Sequence, residues 1–162
     1  MKKAAFSILI LIFGLLEAGL LDSFQLLGVQ PNLLLMSAVT ASLIFELKWA
    51  FVFAIFAGML NDTLGVGAFG INTLLFCVWV FLIIKLSRKI PLDSKPIRII
   101  LVFIIVISHN FLKKFIFFIW GKPSVSISMF LYITFWESLY TAAVSPLLFK
   151  LLESVPYPTA IE

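Results

Sequence analysis

Long apolar stretches broken by short polar clusters set the pattern of this chain. Ile8 to Leu16 and Ile97 to Ile107 show no polar–apolar alternation. Lipid admits only helices or closed barrels, and barrel strands alternate, so these runs read as helices. The pattern predicts six of them, over about residues 4–21, 31–45, 49–60, 71–86, 97–120 and 127–152. The first run follows Lys2 and Lys3 and has the look of a signal peptide. Leu16-Glu17-Ala18 is a poor cleavage site, however, which favours a retained helix. Pro31 suits the first turn of the second helix. Helices two and three are short for a bilayer and could instead form a re-entrant hairpin. That would bury Glu46 and Lys48 in lipid at a cost, so two short spanning helices are expected. Ser87 to Pro96 is a polar, proline-containing loop, Trp120 to Ser126 a turn, and the tail from Glu153 irregular.

Composition agrees with the pattern. The chain has 162 residues, of which 62% are hydrophobic and 12% charged, too little charge for a soluble domain. Its mean hydropathy is +1.16. The fold class expected is an all-α integral membrane protein, one transmembrane domain over 1–162. Cys77 is the only cysteine and His109 the only histidine. No intrachain disulfide and no typical structural zinc site follows from them, and no metal or cofactor is expected.

The net charge is +4, and its distribution is more informative than its sum. Six helices place both termini on one side. That side gathers Lys2, Lys3, Lys48, Lys85, Arg88, Lys89, Lys95, Arg98 and Lys150. The other holds Lys122, with Lys113 and Lys114 near it. The positive-inside rule then predicts both termini in the cytoplasm. This bias belongs to loops, not to a nucleic-acid surface.

Gly65-Val-Gly67-Ala-Phe-Gly70 has the spacing of a dinucleotide loop. An apolar helix precedes it where that motif needs a strand, so a tight interhelical turn is the better reading. Asp62 stands at the start of this bend and is expected to shape it. Ala50, Ala54 and Gly58 recur every four residues, a spacing that lets helix backbones approach closely. That face either packs inside the chain or docks a partner helix. Glu17, His109, Asn110, Lys113, Lys114 and Glu137 are polar residues within apolar runs. Thr134, Glu137, Ser138, Thr141 and Ser145 form a polar stripe on helix six. A charge at mid-bilayer costs roughly 2.5–3.5 kcal/mol on insertion scales. Three readings stand: a pocket lined by Glu17, His109, Lys113 and Glu137; internal pairing of Glu137 with Lys113 or His109; or snorkelling of Lys113 and Lys114. No metalloprotease, serine-hydrolase or P-loop motif occurs, so an enzyme is not expected. An intramembrane enzyme would require Asp62 and Glu137 to meet.

Gln30-Pro-Asn-Leu-Leu-Leu35, Gly58-Met-Leu-Asn-Asp62 and Gly70-Ile-Asn72 follow one another in a chain of six predicted helices. In order and spacing they resemble the rod shape-determining protein MreD family. The resemblance carries over Pro31, Gly58, Asp62 and Gly70, as structural positions. It implies a non-enzymatic scaffold of lateral cell-wall synthesis in the bacterial inner membrane. An MreC-like bitopic protein is the implied direct partner. RodA, a class B penicillin-binding protein and MreB are implied in the wider assembly. It also implies a fold similar to the S components of energy-coupling-factor transporters. A substrate-binding subunit for a vitamin or other small molecule is therefore the alternative.

Overall fold

The computed structural model describes residues 2–20, 28–65, 69–89, 94–121 and 126–153. Asp22, Gly67, Pro91, Lys122, Pro156 and Pro158 lie outside them. The elements are α1 (Lys2–Leu15), continued by a π-helical turn (Leu16–Leu20), then α2 (Leu33–Ile44), α3 (Leu47–Leu64), α4 (Ile71–Ser87), α5 (Lys95–Ile119) and α6 (Ile127–Glu153). By length and composition, α3, α5 and α6 can each cross a membrane.

The centre of the bundle is α2. Its 12 residues span about 18 Å, well short of a bilayer's hydrocarbon thickness of about 30 Å. Leu33 through Ser42 are all buried, and α1, α3, α4, α5 and α6 each pack against it. It is a core helix walled off by its neighbours. Being apolar all round, it shows no hydrophobic stripe, as expected for burial on every side. Its hydroxyls turn back on its own backbone. Ser37 donates to Leu34 O (2.7 Å), Thr40 to Met36 O (2.8 Å) and Ser42 to Val39 O (2.6 Å). Buried polar groups are thereby satisfied without a partner helix.

Asn32 starts α2 by accepting from Leu35 N at 2.9 Å, the usual bond of an asparagine N-cap. Pro31 therefore stands one residue before the cap and not in the first turn. Phe45 ends the helix in an extended conformation, and Glu46 holds the N-cap position of α3 without a side-chain capping bond. Phe6, Phe45 and Phe53 pack together at this turn with centroids 4.7–5.0 Å apart. The Lys3 ammonium lies 3.7 Å from the Trp49 ring, so α1 and α3 begin at the same end. Arg98 lies over Phe149, which brings the start of α5 to the end of α6.

Helix α6 contains Pro146, which has no N–H for the Ala142 carbonyl one turn back. The Ser145 hydroxyl donates to that carbonyl at 2.7 Å. The serine supplies the bond the proline removes, so the helix continues through it.

The small-residue face of α3 is used inside the chain. Ala50, Ala54 and Ala57 are fully buried, and Gly58 is buried with them. Of its two readings, packing inside the chain is the one the structure supports, not a docking surface for a partner helix: α1, α2 and α4 pack against α3. The exposed face of α3 instead carries Val52, Ile55 and Met59, and that of α5 carries Ile100, Ile104 and Phe115. Large apolar side chains pointing outward all around a bundle are what a lipid-facing perimeter requires.

Candidate functional site

Asp62 lies in the last turn of α3, which runs to Leu64 and so passes the expected end near residue 60. Its carboxylate is buried and accepts four hydrogen bonds from the start of α4. Oδ2 takes Gly70 N (3.0 Å), Thr73 N (3.0 Å) and the Thr73 hydroxyl (2.6 Å); Oδ1 takes Asn72 N (3.0 Å). The first backbone N–H groups of a helix lack partners within it, and its N-terminus favours a negative charge. Asp62 meets both needs from the preceding helix. Gly70 makes the geometry possible: it is the N-cap with φ of +96°, a region open to glycine.

One turn before Asp62, Gly58 rests on α4. A Cβ there would fall onto the Thr73 Cα and lie 2.9 Å from its N. The absence of a side chain at Gly58 lets the backbones approach closely enough for the Asp62 carboxylate to reach the Thr73 amide. Close approach and capping are thus one device, spaced four residues apart on one helix face.

A second polar centre forms where α1 meets α2. The π-helical turn holds Glu17, whose Oε2 accepts from Leu34 N at 3.2 Å. Turns of this kind interrupt α-helices frequently at functional sites. Asn32 joins α2 to α6: its backbone N–H donates to Thr141 Oγ1 at 3.1 Å, and its amide reaches the Glu137 carboxylate. Glu137 Oε2 also accepts from Asn110 Nδ2 at 2.8 Å. Lys113 lies in the electrostatic field of Glu137, Asp62 and Glu17. Among the described residues no hydrogen bond or ion pair joins its ammonium to any of them.

Space separates these charges. One lobe, about 360 Å³, is lined by Glu17, Ala18, Gln30, Asn32, Asn61, Leu64, Gly65 and Lys113. A second, about 310 Å³, is lined by Glu17, Gly28, Val29, Gln30, Pro31, Asn32, Ile133 and Glu137. Glu17, Gln30 and Asn32 belong to both lobes. The arrangement is a polar cavity with an ammonium on one wall and two carboxylates on others. Among the described residues it contains no nucleophile–base pair. Asp62 and Glu137 have separate hydrogen-bond partners and do not share a proton site. Among the described residues no cluster of three His, Cys, Asp or Glu groups could hold a metal ion.

A family model for the rod shape-determining protein MreD matches residues 2–155, nearly the whole chain. The chain belongs to the MreD family. Neither a curated protein nor a solved structure matches it.

Within this MreD-family chain, Glu17 lines two adjoining lobes, with Lys113 on one and Glu137 and Pro31 on the other. The structure places Asp62, Gly58 and Gly70 together at the α3–α4 junction. His109 belongs to neither group: it is buried, its ring centroid 5.6 Å from that of Phe76, and its Nδ1 has no partner among the described residues. Its pairing with Glu137 is corrected accordingly, and Asn110, the next residue on α5, makes that bond. Asn32, Thr73 and Asn61 were not singled out from sequence. The signal for Asn32 was present: an asparagine after Pro31 and before an apolar run is an N-cap pattern. Thr73 and Asn61 carry no such signal, because their roles depend on which helices meet.

Proposed function

We propose that this protein is a non-enzymatic scaffold of the rod-shape machinery in the bacterial inner membrane, binding an MreC-like bitopic partner. The observation that carries this reading is membership of the MreD family across residues 2–155. Six membrane-embedded helices in one domain, with both termini in the cytoplasm, fit the charge pattern. Lys3, Lys48, Lys85, Arg88, Lys89, Lys95, Arg98 and Lys150 gather at the end where α1, α3 and α5 begin, while Lys113 and Lys114 lie toward the other. The Asp62 junction and the cavity then face the periplasm. RodA, a class B penicillin-binding protein and MreB complete the assembly in this reading. With the small-residue face of α3 buried, the partner's helix would pack on the exposed apolar perimeter.

Co-purification from membranes with an MreC-like protein tests the partner. Depletion in the native host tests the role, with loss of rod shape expected. Cells that stay rods after depletion, and a partner that fails to co-purify, overturn it. A transporter substrate-binding subunit is favoured only by the polar cavity. Transporter ATPase genes adjoining this one, in place of an MreC-like gene, would support that reading.

A further inference from the structure

Opposite charges in a membrane bundle usually touch, because separation in a medium of low dielectric leaves each poorly compensated. Here they face one another across a cavity. Lys113 and Glu17 line the same lobe, yet no described residue makes a hydrogen bond or ion pair with the Lys113 ammonium. Glu17 Oε2 accepts from Leu34 N, while Oε1 accepts no hydrogen bond from a described residue. The second lobe holds Glu17 and Glu137 and, among the described residues, no cation. The two lobes are therefore electrically unlike: one offers an ammonium, the other two carboxylates. They meet at Glu17 and Asn32, held in place by the π-helical turn and by the α2 N-cap.

The geometry points to a binding site for a zwitterion carrying a primary ammonium and an acidic group a few bonds apart. The ammonium occupies the Glu17–Glu137 lobe and donates to both carboxylates. The acidic group, phosphate or carboxylate, occupies the Lys113–Asn61 lobe and accepts from the Lys113 ammonium. Charge-assisted hydrogen bonds of this kind are roughly twice as strong as neutral ones, and a ligand bonded at both ends is fixed in orientation. Lobes of about 360 and 310 Å³ admit a small molecule or the headgroup of a lipid. Phosphoethanolamine has this chemistry, whether free or as the headgroup of phosphatidylethanolamine. The site stands independently of the scaffold reading.

The test uses the full-length protein purified in detergent and titrated with O-phosphoethanolamine while its thermal unfolding is followed. A saturable rise in unfolding temperature is expected. Ethanolamine alone and inorganic phosphate alone each fill one lobe and should bind at least about tenfold more weakly. Glu137→Gln and Lys113→Gln should each weaken binding by about tenfold or more. Asn61→Phe, which fills the lysine lobe without removing a charge, should do the same in a protein that still folds. Reconstitution in phosphatidylethanolamine against phosphatidylglycerol vesicles identifies the source. Stabilisation by the free zwitterion assigns a soluble ligand. Stabilisation by phosphatidylethanolamine alone assigns a headgroup. No stabilisation by either probe overturns the site. So does a response equal in wild type and all three variants, or phosphate alone binding as tightly as the zwitterion.

Discussion

Asp62 and Glu17 are the same kind of group in the same kind of place, put to opposite uses. Each carboxylate stands in the last turns of one helix and reaches the N-terminus of the next. Asp62 accepts four hydrogen bonds, and both of its oxygens are engaged. Glu17 accepts one bond from α2, because Asn32 already caps that helix, and its remaining oxygen borders a cavity. The difference lies in the helix being capped. Gly70 has no side chain with which to cap α4, so the capping group must come from elsewhere. A carboxylate that is needed as a cap is closed to a ligand. One relieved of that work by a neighbour stays open to one.

The largest effect is expected from Asp62→Leu. It strands three backbone N–H groups and a hydroxyl in a buried junction, each costing about 1–3 kcal/mol if left unpaired. A loss of at least about 4 kcal/mol should appear as near-absence of monodisperse protein after detergent extraction. Wild-type yield and melting would break the comparison at its structural side. Next comes Gly58→Ala, at about 3 kcal/mol, since the new methyl meets the Thr73 backbone and not a flexible side chain. Gly14→Ala is its control. A Cβ there meets only side-chain atoms at 3.6 Å and beyond, so thermal stability should hold or rise slightly.

Asp62→Asn should fall between these and no change, at about 1–2 kcal/mol. An amide oxygen can replace Oδ2 and its three donors, but the amide NH₂ then faces Asn72 N–H. A melting temperature as low as that of Asp62→Leu would show that charge, not hydrogen-bond count, holds the junction. Ser145→Ala should cost about 1 kcal/mol by leaving the Ala142 carbonyl without the donor that Pro146 cannot supply. The double variant Ser145→Ala, Pro146→Ala should recover most of that loss in the same melting experiment. Glu137→Gln should be the mildest of the losses, below about 1 kcal/mol. The amide oxygen of glutamine can still accept from Asn110 and from Asn32, so the links from α6 to α5 and α2 survive. A loss as large as that of Asp62→Leu would mean that both centres are structural and that the contrast is wrong.

Much of the helical architecture was legible in the apolar runs, because a lipid-facing helix must be apolar along its whole length. The ends were less so. The expectation that α3 stops near residue 60 took Asn61 and Asp62 as a break, but their polar groups are compatible with a last helical turn. That α2 is enclosed by other helices was not legible from its hydropathy. Periodicity does not separate a helix buried in protein from one buried in lipid, since both are apolar on every side. For the site, composition alone made Glu17, Lys113 and Glu137 conspicuous. Their meeting around two adjoining lobes was not visible, because they lie on α5, α6 and the turn after α1, far apart in the chain.

The sequence by itself determined that the chain is helical and membrane-like, that its basic residues are unevenly placed, and that it carries the Gly58–Asp62–Gly70 pattern of its family. The first two are properties of runs, spacings and counts that survive without coordinates, and the third is the spacing on which the family resemblance rests. Only the tertiary structure decided that the small-residue face of α3 packs inward, that Asp62 is a fully engaged cap, and that three conspicuous charges stand apart around a space. Each of those depends on which helix lies beside which. A carboxylate has the same formula in both centres, and its neighbours decide whether it has an oxygen left to accept a hydrogen bond from a ligand.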